Sequence, residues 1–259
     1  MDMGFLRLVM LVLGLLPQAA PAQQVTVDLA LVLAVDVSSS MTTEELALQR
    51  SGYITALSDP KVAEALIGGP LHRIALSYVE WADPAMQVVT MNWHIIDSRE
   101  AAVAFTAELA GKPLVGGTNT SISAALNFSA ALFETLPVQA EKWIIDISGD
   151  GPNSAGAHVA PTRDRIVARD IVINGIAILI DPAPLDTATG ATLTGYYQDC
   201  VIGGPGAFVV SAASISGIAD AIRRKLVREV AADTDVAGVI YVAAEKPADC
   251  TLGQKDFYE

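Results

Sequence analysis

The sequence predicts an α/β protein whose mostly parallel sheet is doubly wound, with helices on both faces and one antiparallel edge strand. Two observations support this prediction. Short apolar runs suited to buried strands alternate along the chain with patterns typical of amphipathic helices, as expected for a parallel sheet covered on both faces. The 259 residues, of which 52% are hydrophobic and 17% charged, are also enough to bury one sizeable core. We therefore expect one domain over residues 25–232.

The two ends of the chain are predicted to lie outside this domain. Residues 1–22 have the features of a secretory signal peptide, because Arg7 precedes a short apolar run and an Ala-Pro-Ala cleavage site follows. The run is too short to span a bilayer, so a membrane anchor or a buried helix is the less favoured alternative. No later segment offers about 20 uninterrupted apolar residues. We expect a secreted or periplasmic protein with no membrane span in the mature chain, and a C-terminal tail over residues 233–259.

The individual elements follow from local patterns. Thr42 and Glu45 stand at capping-box spacing ahead of the first helix, and Ser98 and Ser214 are expected to cap two later helices. Further helices are expected after a Gly-rich loop and around His158, and a long surface excursion is expected late in the domain. The predicted strands cover residues 27–35, 73–81, 87–93, 143–147, 171–180 and 207–210, the Gly-rich loop covers 111–120, and the excursion covers 181–206.

Charge and cysteine content restrict the partners and the compartment. A net charge of −13 argues against nucleic acid and anionic lipid as partners. In an oxidising compartment Cys200 and Cys250 are expected to form a disulfide, which ties the C-terminal tail back and contributes roughly 4 kcal/mol in the chain-entropy model. Two unpaired buried thiols are the alternative. The sequence contains no C-x-x-C redox or zinc pattern.

Three polar segments each follow a predicted strand or precede a predicted helix. They are residues 36–40 (Asp-Val-Ser-Ser-Ser), 116–120 (Gly-Gly-Thr-Asn-Thr) and 148–151 (Ser-Gly-Asp-Gly). Ligands of open parallel sheets bind beyond the carboxyl ends of the strands. Two carboxylates and several hydroxyls, without His or Cys, form a hard oxygen site that suits Mg²⁺, Mn²⁺ or Ca²⁺ better than zinc. The hydroxyls around residue 38 are alternatively no more than helix caps.

In this order, the three segments resemble the von Willebrand factor A (vWA) domain and its metal-ion-dependent adhesion site. The resemblance covers about residues 25–230 and is greatest to an uncharacterised group of secreted bacterial vWA-like proteins. It implies a Rossmann-like fold with one bound divalent cation, Mg²⁺ before Mn²⁺ or Ca²⁺. It also implies a partner, a protein or other anionic ligand, that supplies a carboxylate to the cation. The residues that it implies as metal ligands are Ser38, Ser40 and Thr118 directly, and Asp36 and Asp150 directly or through water.

One position departs from the family pattern. The family usually has Thr where Gly149 stands. Asp146 lies on the same pleat face as Asp150 if the strand continues, so it is interpreted as an acceptor behind the ligands or as an alternative ligand. Thr120 is interpreted as a cap or a supporting hydroxyl rather than a ligand.

The expected function is that of a secreted, divalent-cation-dependent binding module, and the chain is not expected to be an enzyme. A metal-dependent hydrolase is the first alternative and would need Asp146 as its general base beside the cation. A structural envelope protein with a vestigial site is the second. A serine-hydrolase triad is not expected, since the three histidines are scattered and Gly-x-Ser-x-Gly does not occur.

Overall fold

The computed structural model describes residues 25–179, 185, 190–214, 217–230 and 247–254. The predicted signal peptide and most of the C-terminal tail lie outside these residues. In the described part of the chain, no helix combines the length and the apolar character needed to cross a bilayer.

A six-stranded sheet forms the centre of the molecule. Its strands are β2 (Leu29–Asp36), β3 (Ile74–Trp81), β4 (Gln87–Ile96), β6 (Trp143–Gly149), β7 (Ile171–Ile178) and β8 (Val209–Ala212), and β1 (Thr26–Val27) pairs separately with β5 (Gln139–Ala140). The strand order in the sheet is β4-β3-β2-β6-β7-β8. Only the β3–β4 pair of this sheet is antiparallel, so the predicted fold class is confirmed. Every residue of β2 is buried because this central strand has a neighbour on each side and helices above and below.

Helices cover both faces of this sheet. Alternate residues of a strand point to opposite faces, and Leu31 and Leu33 accordingly belong to one core cluster while Ala34 belongs to the other. The first face carries α1 (Thr43–Ser58), α2 (Pro60–Leu66), α3 (Arg99–Ala110) and α7 (Ile218–Val230), and the second carries α4 (Ile122–Leu132), α5 (Val159–Val167) and α6 (Leu193–Tyr196).

The predicted helix starts are confirmed in two cases. Thr42 and Glu45 form the capping box of α1, with Glu45 N donating to Thr42 Oγ1 at 3.2 Å and Thr42 N donating to Glu45 Oε2 at 2.8 Å. Ser98 caps α3 by accepting from the backbone N–H of Ala101. Ser214 Oγ accepts from Gly217 N at 3.2 Å, just ahead of Ile218, the first residue of α7.

The expected surface excursion over residues 181–206 is wrong in its second half. Within it, α6 is followed by a π-turn, Tyr197–Val201, and both pack against the second face of the sheet. Tyr196, Tyr197 and Cys200 are fully buried. The predicted disulfide between Cys200 and Cys250 is present, with sulfur atoms 2.01 Å apart. The Thr- and Gly-rich composition gave no sign of this packing, because the aromatic side chains that carry it lie close together rather than at a regular spacing.

Candidate metal-ion site

The first polar segment lies at the point where the chain leaves the central strand. Asp36 is the last residue of β2 and is fully buried. The chain continues from β2 to β3 on one side, while β6 lies on the other, so this loop opens at the switch point where α/β sheets bind ligands. Ser38 N donates to Asp36 Oδ1 at 2.8 Å, and the Gln49 side chain of α1 donates to Asp36 O at 2.8 Å. These two bonds fix the segment in a tight turn.

Hydroxyl groups join the three segments to one another. Ser38 Oγ and Ser40 Oγ lie 3.1 Å apart, and Thr120 Oγ1 donates to Ser38 Oγ at 3.2 Å. Ser40 Oγ donates to Asp150 Oδ1 at 2.7 Å across 110 positions of sequence. The structure therefore brings Asp36, Ser38, Ser40 and Asp150 together, with Thr120 as a hydroxyl that supports Ser38.

Thr118 lies at the same rim but is exposed, and its hydroxyl has a partner that the sequence did not indicate. Thr118 Oγ1 donates to Asp83 Oδ2 at 3.2 Å, while Ser39 Oγ donates to the backbone carbonyl of Thr118. Asp83 lies outside the three polar segments. It follows the carboxyl end of β3, and the same rule that selected the other segments, polar residues just beyond a parallel strand, would have found it.

Gly117 explains why the second segment approaches so closely. Its backbone N–H donates to Val37 O at 2.9 Å. A Cβ atom at this position would lie 2.2 Å from Cβ of Ala82, far inside van der Waals contact. Only glycine allows the loop to lie against both the β2–α1 loop and the β3–β4 turn.

Burial raises the pKa of both carboxyl groups at the site. The pKa of Asp36 rises to about 8, mainly because burial removes the carboxylate from water and secondly because Asp150 carries a like charge nearby, with Ser38 and the backbone of Asp150 opposing the rise. The pKa of Asp150 is also raised by burial, and the hydrogen bond from Ser40 opposes this. A cation between these two carboxyl groups would stabilise their charged forms.

The donors fit a hard divalent cation. Asp36 Oδ2 is buried and has no hydrogen-bond partner among the described residues, so this oxygen is available as a ligand. The residues that the structure describes contain no group of three or more His, Cys, Asp or Glu side chains that could hold a metal. Three of the five proposed ligands at this site are hydroxyl groups. Such a donor set suits Mg²⁺, Mn²⁺ or Ca²⁺ better than zinc.

Asp146 does not belong to this site, and its interpretation as an alternative ligand is wrong. It pairs in register with Leu33, three residues before the end of β2, which is roughly 10 Å along the strand. Its carboxylate lies 2.6 Å from Lys225 Nζ on α7, and both side chains are fully buried. The hydroxyl pattern of the loops does not reveal this pair, because Lys225 is 79 positions away in the sequence.

The departure at Gly149 has a steric reason. A Cβ atom on this residue would lie 2.6 Å from Tyr197 Oη and 2.8 Å from Asp36 Oδ2. The hydroxyl of Tyr197 therefore occupies the space into which a Thr side chain at position 149 would extend.

A protein-family model described as "Protein of unknown function (DUF1194)" matches residues 26–234. The chain belongs to this family. The match spans the whole sheet and all three polar segments, so the DUF1194 region and the domain seen in the structure coincide. A search of curated protein sequences finds no match to this DUF1194 chain.

Solved structures show that the DUF1194 chain has a vWA-like fold. The pilus adhesin SpaC from Lactobacillus rhamnosus GG superposes with a TM-score of 0.55 at 12% identity, covering 78% of this chain and 30% of the adhesin. Proximal thread matrix protein 1 from the mussel byssus gives 0.54 at 14% identity, covering 79% and 47%. A von Willebrand factor type A protein from Catenulispora acidiphila gives 0.50 at 14% identity, covering 79% and 43%. This chain spans less than half the length of each, and at these identities the likeness establishes the fold alone.

Proposed function

We propose that this protein is a secreted or periplasmic vWA-type binding module that captures an acidic group of a protein or other anionic ligand through a bound divalent cation. The cation would be held by Asp36, Ser38, Ser40, Thr118 and Asp150. When bound, it supplies a positive charge with an open coordination position to which a carboxylate of the partner attaches.

The convergence of distant side chains carries this proposal. Ser40 donates to Asp150 across 110 positions of sequence, and Asp36 has one buried oxygen without a hydrogen-bond partner among the described residues. A buried carboxylate with an unused acceptor costs stability unless something compensates for it. A protein that needed these residues only as helix caps would have no reason to collect two carboxyl groups at one rim.

The balance of charge favours an acidic partner. Ser38, Ser40 and Thr118 are neutral donors, so with Asp36 and Asp150 acting through water the first coordination shell of the cation would hold no negative charge until a partner binds. A partner carboxylate completes the coordination. Mg²⁺ is the proposed ion because the donors are hard oxygen atoms. One of the mussel matrix protein structures has a zinc-occupied MIDAS (metal-ion-dependent adhesion site) motif, so zinc is included among the metals to be titrated.

No observation favours the hydrolase alternative. The base that it requires, Asp146, is held by Lys225 inside the core. A binding role needs no general base, so the proposal is a module that binds and does not catalyse.

Calorimetric titration of the protein with Mg²⁺, Mn²⁺, Ca²⁺ and Zn²⁺ tests the site directly. We expect Ser38→Ala and Asp150→Ala to abolish measurable cation binding while the circular dichroism spectrum stays unchanged. Ser129→Ala is the matched control, since Ser129 is also fully buried but lies in α4 and has no hydrogen-bond partner among the described residues. A carboxylate-bearing resin should then retain the wild-type protein in Mg²⁺ and release it in chelator.

Two results would contradict this proposal. If the wild-type protein binds none of the four metals, the site is vestigial and the structural alternative is favoured. If Ser38→Ala and Asp150→Ala bind cation as well as Ser129→Ala does, the cation is held somewhere else.

A further inference from the structure

The hydroxyl of Tyr197 lies beside the candidate site and has no assigned role. Tyr197 is fully buried, and its hydroxyl has no hydrogen-bond partner among the described residues. Burying a phenol hydroxyl without a partner is unfavourable, and buried tyrosines usually find one. An unsatisfied buried group of this kind requires an explanation.

Two glycines on neighbouring strands make room for this side chain. A Cβ atom on Gly175 of β7 would lie 2.9 Å from Cδ1 of the Tyr197 ring, and a Cβ atom on Gly149 of β6 would lie 2.6 Å from its Oη. Gly175 pairs in register with Ile147, two residues before Gly149. The ring therefore runs along the sheet surface from β7 towards the end of β6, and both ends of its path need a glycine.

This path ends at Asp36. The position of a Gly149 Cβ atom lies 2.6 Å from Tyr197 Oη and 2.8 Å from Asp36 Oδ2, so both oxygens lie close to the same point beside Gly149, and no hydrogen bond joins them. Asp36 Oδ2 also lacks a hydrogen-bond partner among the described residues. One of the two groups is a donor and the other an acceptor, and each is the complement that the other lacks.

We propose that Tyr197 is a positioning residue of the cation site, whose hydroxyl supports the carboxylate of Asp36 by donating towards Oδ2. This inference rests on the proposed function. Cation binding requires Asp36 in its charged form, and a buried carboxylate needs hydrogen-bond donors behind it to hold its orientation. In this chain a Tyr hydroxyl from the π-turn occupies the space that a Thr side chain at position 149 would fill, and Gly149 is what allows it to enter.

Tyr197→Phe removes the hydroxyl and keeps the ring between the two glycines. We expect this variant to bind Mg²⁺ and Mn²⁺ about 10- to 100-fold more weakly than the wild type, the range usual for loss of a group that supports a metal ligand. Tyr78→Phe is the matched control. Tyr78 is equally buried, lacks a hydrogen-bond partner within the described residues and lies on the opposite face of the sheet, where it packs against Tyr53.

Thermal unfolding separates positioning from packing. Loss of packing would lower the unfolding temperature equally with and without cation. A positioning role predicts that Tyr197→Phe and Tyr78→Phe unfold at similar temperatures in chelator, and that only Tyr197→Phe shows a smaller rise when Mg²⁺ is added.

A second variant fills the space between the two groups. Gly149→Ala places a methyl group between the phenol and the carboxylate and should also weaken cation binding. Gly111→Ala at the end of α3, where an added Cβ atom meets nothing closer than 3.5 Å, should not. If the wild type binds cation and Tyr197→Phe binds it as tightly as Tyr78→Phe does, the role of Tyr197 is refuted while the proposed function stands. If the wild type itself binds no cation, both are refuted.

Discussion

At the scale of single residues, Asp36 determines the behaviour of the site. A carboxyl group at the end of the central strand has lost its water, and burial together with Asp150 raises its pKa to about 8. The folded protein therefore holds the Asp36 proton more tightly than the unfolded chain, whose Asp pKa lies near 3.9. The stability contributed by this proton is complete below the unfolded pKa and is lost as the pH rises through about 8.

The cation-free protein should therefore become less stable as the pH rises. In chelator, the free energy of unfolding should fall by a few kcal/mol between pH 5 and pH 8, and added Mg²⁺ should restore much of it at pH 8. The free energy of unfolding of Asp36→Asn should change less over the same pH range, and Mg²⁺ should not increase it. Some pH dependence should remain in this variant, because burial raises the pKa of Asp146 to about 7 in the same direction. Urea unfolding at the two pH values measures both effects. If the unfolding free energy of Asp36→Asn falls with pH as much as that of the wild type, Asp36 is not the source of the pH dependence.

At the scale of elements, a buried ion cluster holds α7 against the sheet. Lys225 of α7 lies 2.6 Å from Asp146 of β6 and also contacts Glu229, and the three side chains are fully buried. Asn174 of β7 donates to Glu229 Oε1 at 2.9 Å and accepts from the backbone N–H of Phe208. The cluster joins a helix to two strands of the sheet, well below the rim where the candidate cation site lies.

Breaking this ion cluster should lower the stability of the fold and leave the affinity of the candidate site for cation unchanged. Lys225→Met leaves two buried carboxyl groups without their cation, so we expect a loss of about 3–5 kcal/mol in the free energy of unfolding. Arg224→Met on the exposed side of the same helix should cost less than about 0.5 kcal/mol. Urea unfolding compares the two variants. Calorimetry of folded Lys225→Met should give the wild-type cation affinity, and equal stability of the two variants would show that the cluster contributes nothing.

At the scale of the whole molecule, the disulfide connects the end of the described chain to the second face of the sheet. Cys200 and Cys250 are 50 residues apart in sequence. Cys200 lies in the π-turn that also carries Tyr197, so the bond that constrains the unfolded chain also holds the segment that reaches the candidate site. The stretch of sequence before this π-turn is long and rich in Thr, Gly and Pro, and the disulfide fixes its far end.

Removing the link should therefore affect both stability and the site. The double variant Cys200→Ser/Cys250→Ser should lose about 4 kcal/mol in the free energy of unfolding, the entropy of closing a loop of this length. If the π-turn also becomes looser, cation affinity should fall with it, and the wild type in reductant should behave in the same way. Urea unfolding and calorimetry provide the two measurements. A variant as stable as the wild type would show that packing alone secures this segment.

The sequence by itself determined the fold class, the order of the strands along the chain and the three polar segments. These depend on local properties: the alternation of apolar residues, the capping residues Thr42 and Ser98, and the position of polar residues just after a strand. The resemblance to vWA domains rested on the same short motifs, and the strand order and the solved structures confirm it as a fold. The candidate ligands Asp36, Ser38, Ser40 and Asp150 meet because parallel strands end at one edge.

Only the tertiary structure decided which partner each of the remaining polar side chains has. Asp146 pairs with Lys225, and the hydroxyl of Thr118 donates to Asp83. Tyr197, from a segment predicted to be a surface excursion, lies against Gly149. These pairs join residues that are 35 to 79 positions apart, and no local pattern encodes such distances. They depend on strand register and on which helix covers which face, and both are set by packing of the whole core rather than by any one segment.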